Sequence, residues 1–140
     1  MAIILDADVI IRGEKGTFNL ERWLESLAGE QFEIAAITVA ELWHGVERAT
    51  GRHKTARELY LRALLDVLPI IPYTDQTAYL HSRIWAPLES SGKLLESSGK
   101  MIGPYDLIVA ATAIERNTQL ATFNKRHFAN VAGLKVVEPK

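Results

Sequence analysis

The chain begins with AIIL, an unbroken apolar run, and breaks off at two aspartates, Asp6 and Asp8. A segment with no polar alternation has no face to turn to water. It therefore reads as a strand covered on both sides, as in a parallel sheet. Asp6 falls where that strand ends. In an open α/β sheet the carboxyl ends of the strands form the ligand crevice, so a carboxylate there is placed for chemistry. It could equally cap its own turn.

The remaining sequence alternates in the way such a sheet requires. Leu20, Trp23, Leu24 and Leu27 recur at helical spacing, FEIAAI (Phe32 to Ile37) reads as a second strand, and TVAELWHGVERA follows as a helix. A third helix carries Ala56, Leu59, Tyr60, Ala63 and Leu64 on one face. LPIIPY supplies a third strand, kept short or near an edge by Pro69 and Pro72, which lack amide donors. Thr74 or Asp75 can cap a fourth helix bearing Leu80, Ile84, Trp85 and Leu88. LIVAATAI (Leu107 to Ile114) is apolar nearly all round, and the preceding Gly103-Pro104 favours a buried helix there. QLAT and KVVE close the chain as short strands. The sum predicts an α/β fold with helices on both faces of a mostly parallel sheet of about five strands.

One segment stands outside this pattern. LESSGK occurs twice, from Leu88 and from Leu95. The repeat is too short for a solenoid, whose units run to ~20–50 residues. It reads as a duplication that lengthens a loop, or as an added helical turn from Lys93 to Glu96.

A chain of 140 residues supports one domain, residues 1–140, with one core. It has no long apolar membrane span and no signal-peptide pattern, which predicts a soluble, cytoplasmic protein. Cysteine is absent, which excludes disulfides, thiolate metal sites and a cysteine nucleophile. The formal charge of -1 carries no global basic footprint, so any contact with nucleic acid must be local. Basic residues concentrate between Arg48 and Arg62 and again at Lys125 and Arg126. Lys54, Arg57 and Arg126 are candidate phosphate-backbone contacts, although a solvated helix face explains such runs as well.

Four polar residues share a placement. Asp6, Glu41 and Asn124 each follow a predicted strand, and Asp106 opens a helix expected to start at the same end of the sheet. Each also has a local explanation. Thr38 and Glu41 match a capping box, Asp106 suits a helix dipole, and Asn124 can cap KRHF. Local explanations do not account for the common address. Carboxylates ~4 Å apart repel by about 4 kcal/mol at an effective dielectric of 20, so such a cluster wants a counterion. Without cysteine or paired histidines the donors are oxygens, which suit Mg²⁺ or Mn²⁺. An acidic site with open coordination positions suits phosphoryl-transfer chemistry by a metal-activated water.

LDADVI, ITVAELWHGV, DLIVAATAIERNTQLATFNKRHF and GLKVV, in that order and spacing, resemble the PIN-domain nucleases, in particular the VapC-like toxins of toxin–antitoxin pairs. The resemblance spans almost the whole chain. It implies a three-layer α/β/α domain and a Mg²⁺-dependent endoribonuclease. It also implies a homodimer silenced by a cognate VapB-like antitoxin whose tail fills the groove beside the active site. Residue by residue, it implies that Asp6, Glu41 and Asp106 hold the metal. Asn124 stands at a fourth site where relatives often have aspartate, Thr122 supports that corner, and Asp8 takes a position more often asparagine, where the side chain orients its neighbours.

Two other classes fit parts of the sequence. DADVI approximates the Asp-x-Asp opening of haloacid-dehalogenase-like phosphatases, with Asp6 as nucleophile and Asp8 as acid, but GPYDLI lacks the later acidic pair. A non-catalytic metal- or RNA-binding module would keep the acids without turnover. His44, His81 and His127 read as structural histidines, and Trp43 and Trp85 as packing or dimer-contact residues.

Overall fold

The structure is a computed structural model that describes residues 2–94 and 102–140. Five strands form one sheet: β1 (Ala2–Leu5), β2 (Gln31–Ala35), β3 (Ile70–Ile71), β4 (Gln119–Ala121) and β5 (Lys135–Val137), in the order β3-β2-β1-β4-β5. Every pairing is parallel. β1 is central, which is why its run is apolar without a break. Ile3 and Leu5 enter one core with Ile34, and Ile4 enters the other with Ala35 and Leu120. β3 is the short edge strand that its flanking prolines predict.

One core is roofed by α1 (Ala7–Lys15), α2 (Leu20–Ser26), α3 (Ala36–Arg48) and α4 (Gly51–Leu65). The other is covered by α5 (Asp75–Ser90), α6 (Pro104–Glu115) and the short α7 (Lys125–Phe128). This is the expected three-layer arrangement. Val109, Ala110, Ala111 and Ala113 of α6 are fully buried, so the apolar run LIVAATAI is the buried helix, with Pro104 in its first turn. Among the described residues no helix is long and apolar enough to cross a membrane.

Several local expectations change. α1 was not predicted. It starts directly after Asp6, whose side chain accepts the Ala7 N–H, and it ends at Gly16, at φ 78. Its approach to α2 depends on Gly13, where a Cβ would lie 2.8 Å from Leu20 Cβ. The second strand stops at Ala35, and α3 begins two residues ahead of Thr38. Thr38 therefore lies inside the helix, α3 has no side-chain cap, and the Thr38–Glu41 capping box does not form.

The buried face of α4 is also rotated from the predicted one. Leu61 is buried and Tyr60 and Leu64 partly so, while Leu59 is 64% exposed. Two apolar stripes overlap along this helix, and only packing against α1 and α3 selects between them. Trp43 packs on the core beneath Arg62, as expected, whereas Trp85 is 45% exposed and stacks on His81. Tyr73 and His81 share a 2.9 Å hydrogen bond on the same surface. Thr74 caps α5 with Thr77. In the duplicated segment the described residues end at Leu94, which bridges to Ile102. The second LESSGK copy and the predicted turn from Lys93 to Glu96 lie wholly or partly outside the described residues.

Candidate active site

The carboxyl end of β1 delivers Asp6, and the carboxyl end of the adjacent β4 delivers Thr122. Asp6 is 6% exposed and Thr122 is fully buried. The Thr122 hydroxyl donates to Asp6 Oδ2 at 2.7 Å and accepts the Asn124 N–H at 3.0 Å. A hydroxyl has one proton to give, and this geometry gives it to Asp6. Asp8, in the first turn of α1, accepts the Phe123 N–H at 3.0 Å and lies 3.4 Å from the Thr122 hydroxyl. Asp8 thereby pins the β1–α1 junction to the chain leaving β4. Asn124 stands at the start of α7 but makes no side-chain cap, and among the described residues its hydrogen bonds are made by its backbone.

Glu41 reaches the same end from α3, and Asp106 from the first turn of α6. The charges are close enough to be felt. Burial first, then the neighbouring Asp8 and Asp106, push the Asp6 carboxyl up to about 7 despite the Thr122 bond. Burial and then Asp106 push Glu41 up to about 7 as well. Burial raises Asp106, against the pull of His127, whose Nδ1 lies 3.7 Å from Asp106 Oδ2. Burial also raises Asp8, opposed by the Phe123 amide and the Arg12 guanidinium.

Another buried acid provides the contrast. Glu33 is fully buried in β2, yet Arg116 binds both of its oxygens. No arginine or lysine forms such an ion pair with Asp6, Glu41 or Asp106 among the described residues, and Glu41 Oε1 is buried with no hydrogen-bond partner. Carboxylates raised by burial, two of them further by neighbouring acids and one with an orphaned oxygen, fit a hard cation. In the present rotamers no three His, Asp or Glu side chains among the described residues are gathered closely enough to chelate an ion. Side-chain rotation of Glu41 or Asp106 would have to complete a shell.

The predicted RNA contacts divide differently from expectation. Arg57 is an internal cross-link: its guanidinium binds Glu14 at 3.2 Å and the Gly45 carbonyl at 3.2 Å, tying α4 to α1 and α3. Gly45 permits this, since a Cβ there would meet Arg57 Nη2 at 3.1 Å. Lys54 faces Glu47 at 3.8 Å on the surface. Arg126 is exposed on α7. His127 lies beside Asp106, which the structural reading of that histidine did not foresee.

Sequence reasoning also missed a groove of about 700 Å³ between α1 and α3 that opens beside Glu41 and is lined by Lys15, His44, Arg48 and Tyr105. The spacing of Ala7, Ile11 and Lys15 could have pointed to it, had α1 been recognised.

A fully parallel sheet that gathers unneutralised carboxylates at its carboxyl edge defines an acidic-centre α/β domain. The chain belongs to the PIN-domain family, whose pattern matches residues 3–134. It is 29% identical to ribonuclease VapC1 of Rickettsia felis, over 98% of this chain and 96% of that protein. It is 32% identical to the VapC ribonuclease Y4jK of Sinorhizobium fredii, over 98% and 96%. The crystal structure of VapBC2 from Rickettsia felis bound to a promoter DNA fragment superposes with a TM-score of 0.86 at 25% identity, covering both chains fully.

Proposed function

We propose that this chain is a Mg²⁺-dependent endoribonuclease and the toxin of a toxin–antitoxin pair. The observation that carries the reading is the convergence of Asp6, Glu41 and Asp106 on one crevice with no lysine or arginine among the described residues paired to them. Its similarity to ribonucleases VapC supports RNA as substrate. The solved VapBC2 complex that superposes on it supports a cognate antitoxin as partner; that the antitoxin's tail fills the groove beside the site is part of the same proposal. A homodimer in the cytoplasm belongs to the same reading.

Asp6, Glu41 and Asp106 would hold the ion, Mg²⁺ with Mn²⁺ as a substitute, because the available donors are oxygens. When bound, the ion supplies Lewis acidity for hydrolysis and offsets the charge of the scissile phosphate. The chain's own residues do the rest. Thr122 keeps Asp6 in one rotamer. Asp8 clamps the loop that carries Thr122 and Asn124. Glu41 or Asp106 accepts a proton from the attacking water, a task suited to carboxyls that burial makes more basic than usual. The expected products carry 5′-phosphate and 3′-hydroxyl ends.

The phosphatase reading would need Asp8 free to act as an acid, and its carboxylate is instead engaged by Phe123 and Thr122. An RNA digest with purified protein tests the nuclease reading. Cleavage should stop with EDTA and in Asp6→Ala and Asp106→Ala; activity that survives any of these contradicts it.

A further inference from the structure

We infer that the groove between α1 and α3 is the track for an unpaired RNA strand on one side of the scissile phosphate, with Tyr105 as a base-stacking platform and Lys15 and Arg48 as phosphate contacts. This rests on the nuclease reading above. The groove begins at the acidic centre, where Tyr105 stands next to Asp106 in the first turn of α6 and is 54% exposed. It then runs along Ile11 of α1 and His44 of α3 and ends between Lys15 and Arg48. From Ala7 to Lys15 an α-helix rises about 12 Å.

The order of charge along this path suits a polyanion. Lys15 and Arg48 make no ion pair among the described residues, whereas Arg57, which also lines the groove, is neutralised by Glu14. An enzyme that cuts within a strand must let the strand leave its centre in two directions. The exposed Lys125 and Arg126 open α7, the helix whose His127 lies beside Asp106, and the groove beside Glu41 offers a second exit. An exposed aromatic ring combined with a cationic track is how single strands are held without duplex geometry. Stacking on Tyr105 requires a base free of its partner, which selects loops and single-stranded segments over duplex RNA.

Binding can be read separately from cutting in an Asp6→Asn background, by fluorescence anisotropy with a labelled single-stranded RNA oligonucleotide and its duplex as control. Joint replacement Lys15→Ala and Arg48→Ala should weaken binding and flatten the slope of log affinity against log salt by about 1.4, at ~0.7 per phosphate contact for single strands. Tyr105→Ala should weaken binding on the order of ten-fold with the slope unchanged, and Tyr105→Phe should restore it. If RNA is cut by the wild-type chain while all these variants bind like their parent, the groove assignment falls and the nuclease reading stands. Variants that instead loosen only a bound antitoxin would make the groove a protein site, against this inference. If the wild-type chain neither binds nor cuts RNA, both fall.

Discussion

The Thr122 hydroxyl donates a 2.7 Å hydrogen bond to Asp6 Oδ2, joining residues 116 positions apart in sequence. That bond stitches the ends of two neighbouring strands at the one place where buried carboxylates repel each other. Replacing the hydroxyl with a methyl of the same shape, in Thr122→Val, leaves Asp6 without this donor and the Asn124 N–H without its acceptor. A loss of about 1–3 kcal/mol in urea denaturation is expected, together with reduced cleavage. Thr122→Ser should retain most of both. A Thr122→Val protein as stable and active as the parent would show that the bond has no structural consequence.

Asp6 and Glu41 are both pushed up to about 7, so acidity and stability are linked. An unfolded aspartate or glutamate titrates near 4, so between about pH 4 and 7 the folded chain holds more protons than the unfolded one. Unfolding free energy from these groups is therefore fully present below about pH 4, falls as pH rises to 7, and levels off above that. Mg²⁺ should compete with those protons and raise the melting temperature more at pH 8 than at pH 5.5. Thermal scans with and without Mg²⁺ check this; equal gains at both pH values would count against an acid-held ion.

Arg57 joins three helices through Glu14 and the Gly45 carbonyl. Arg57→Ala should cost about 1.5–3 kcal/mol, the usual range for hydrogen bonds to a charged group. It should leave the salt dependence of RNA binding unchanged. Arg57→Lys should recover only part of the loss, because an ammonium lacks the planar fork that meets two acceptors. A change in salt slope without a loss of stability would reverse the assignment.

Glu33 has its counterion and no role in the acidic centre. Arg116→Ala strands a fully buried carboxylate, at a cost of about 3–5 kcal/mol. The double replacement Glu33→Gln and Arg116→Ala should recover much of that loss. Chemical denaturation of the three variants makes the comparison, and additive losses would exclude coupling between the two side chains.

The legible part of this protein was the part written in short range. The apolar runs of β1 and α6, Pro104 at a helix start and the prolines around an edge strand depend on residues a few positions apart, and each appeared in the structure where its pattern placed it. The shared address of Asp6, Glu41 and Asp106 was also readable, because in a parallel sheet every strand ends on the same edge. The tertiary structure alone decided where α3 begins, which of two stripes α4 buries, and that α1 follows Asp6 at once. It alone paired Arg57 with Glu14, Arg116 with Glu33 and His127 with Asp106. Such choices turn on which cation meets which acid across a folded distance, and on surfaces that exist only after packing, so no local pattern encodes them.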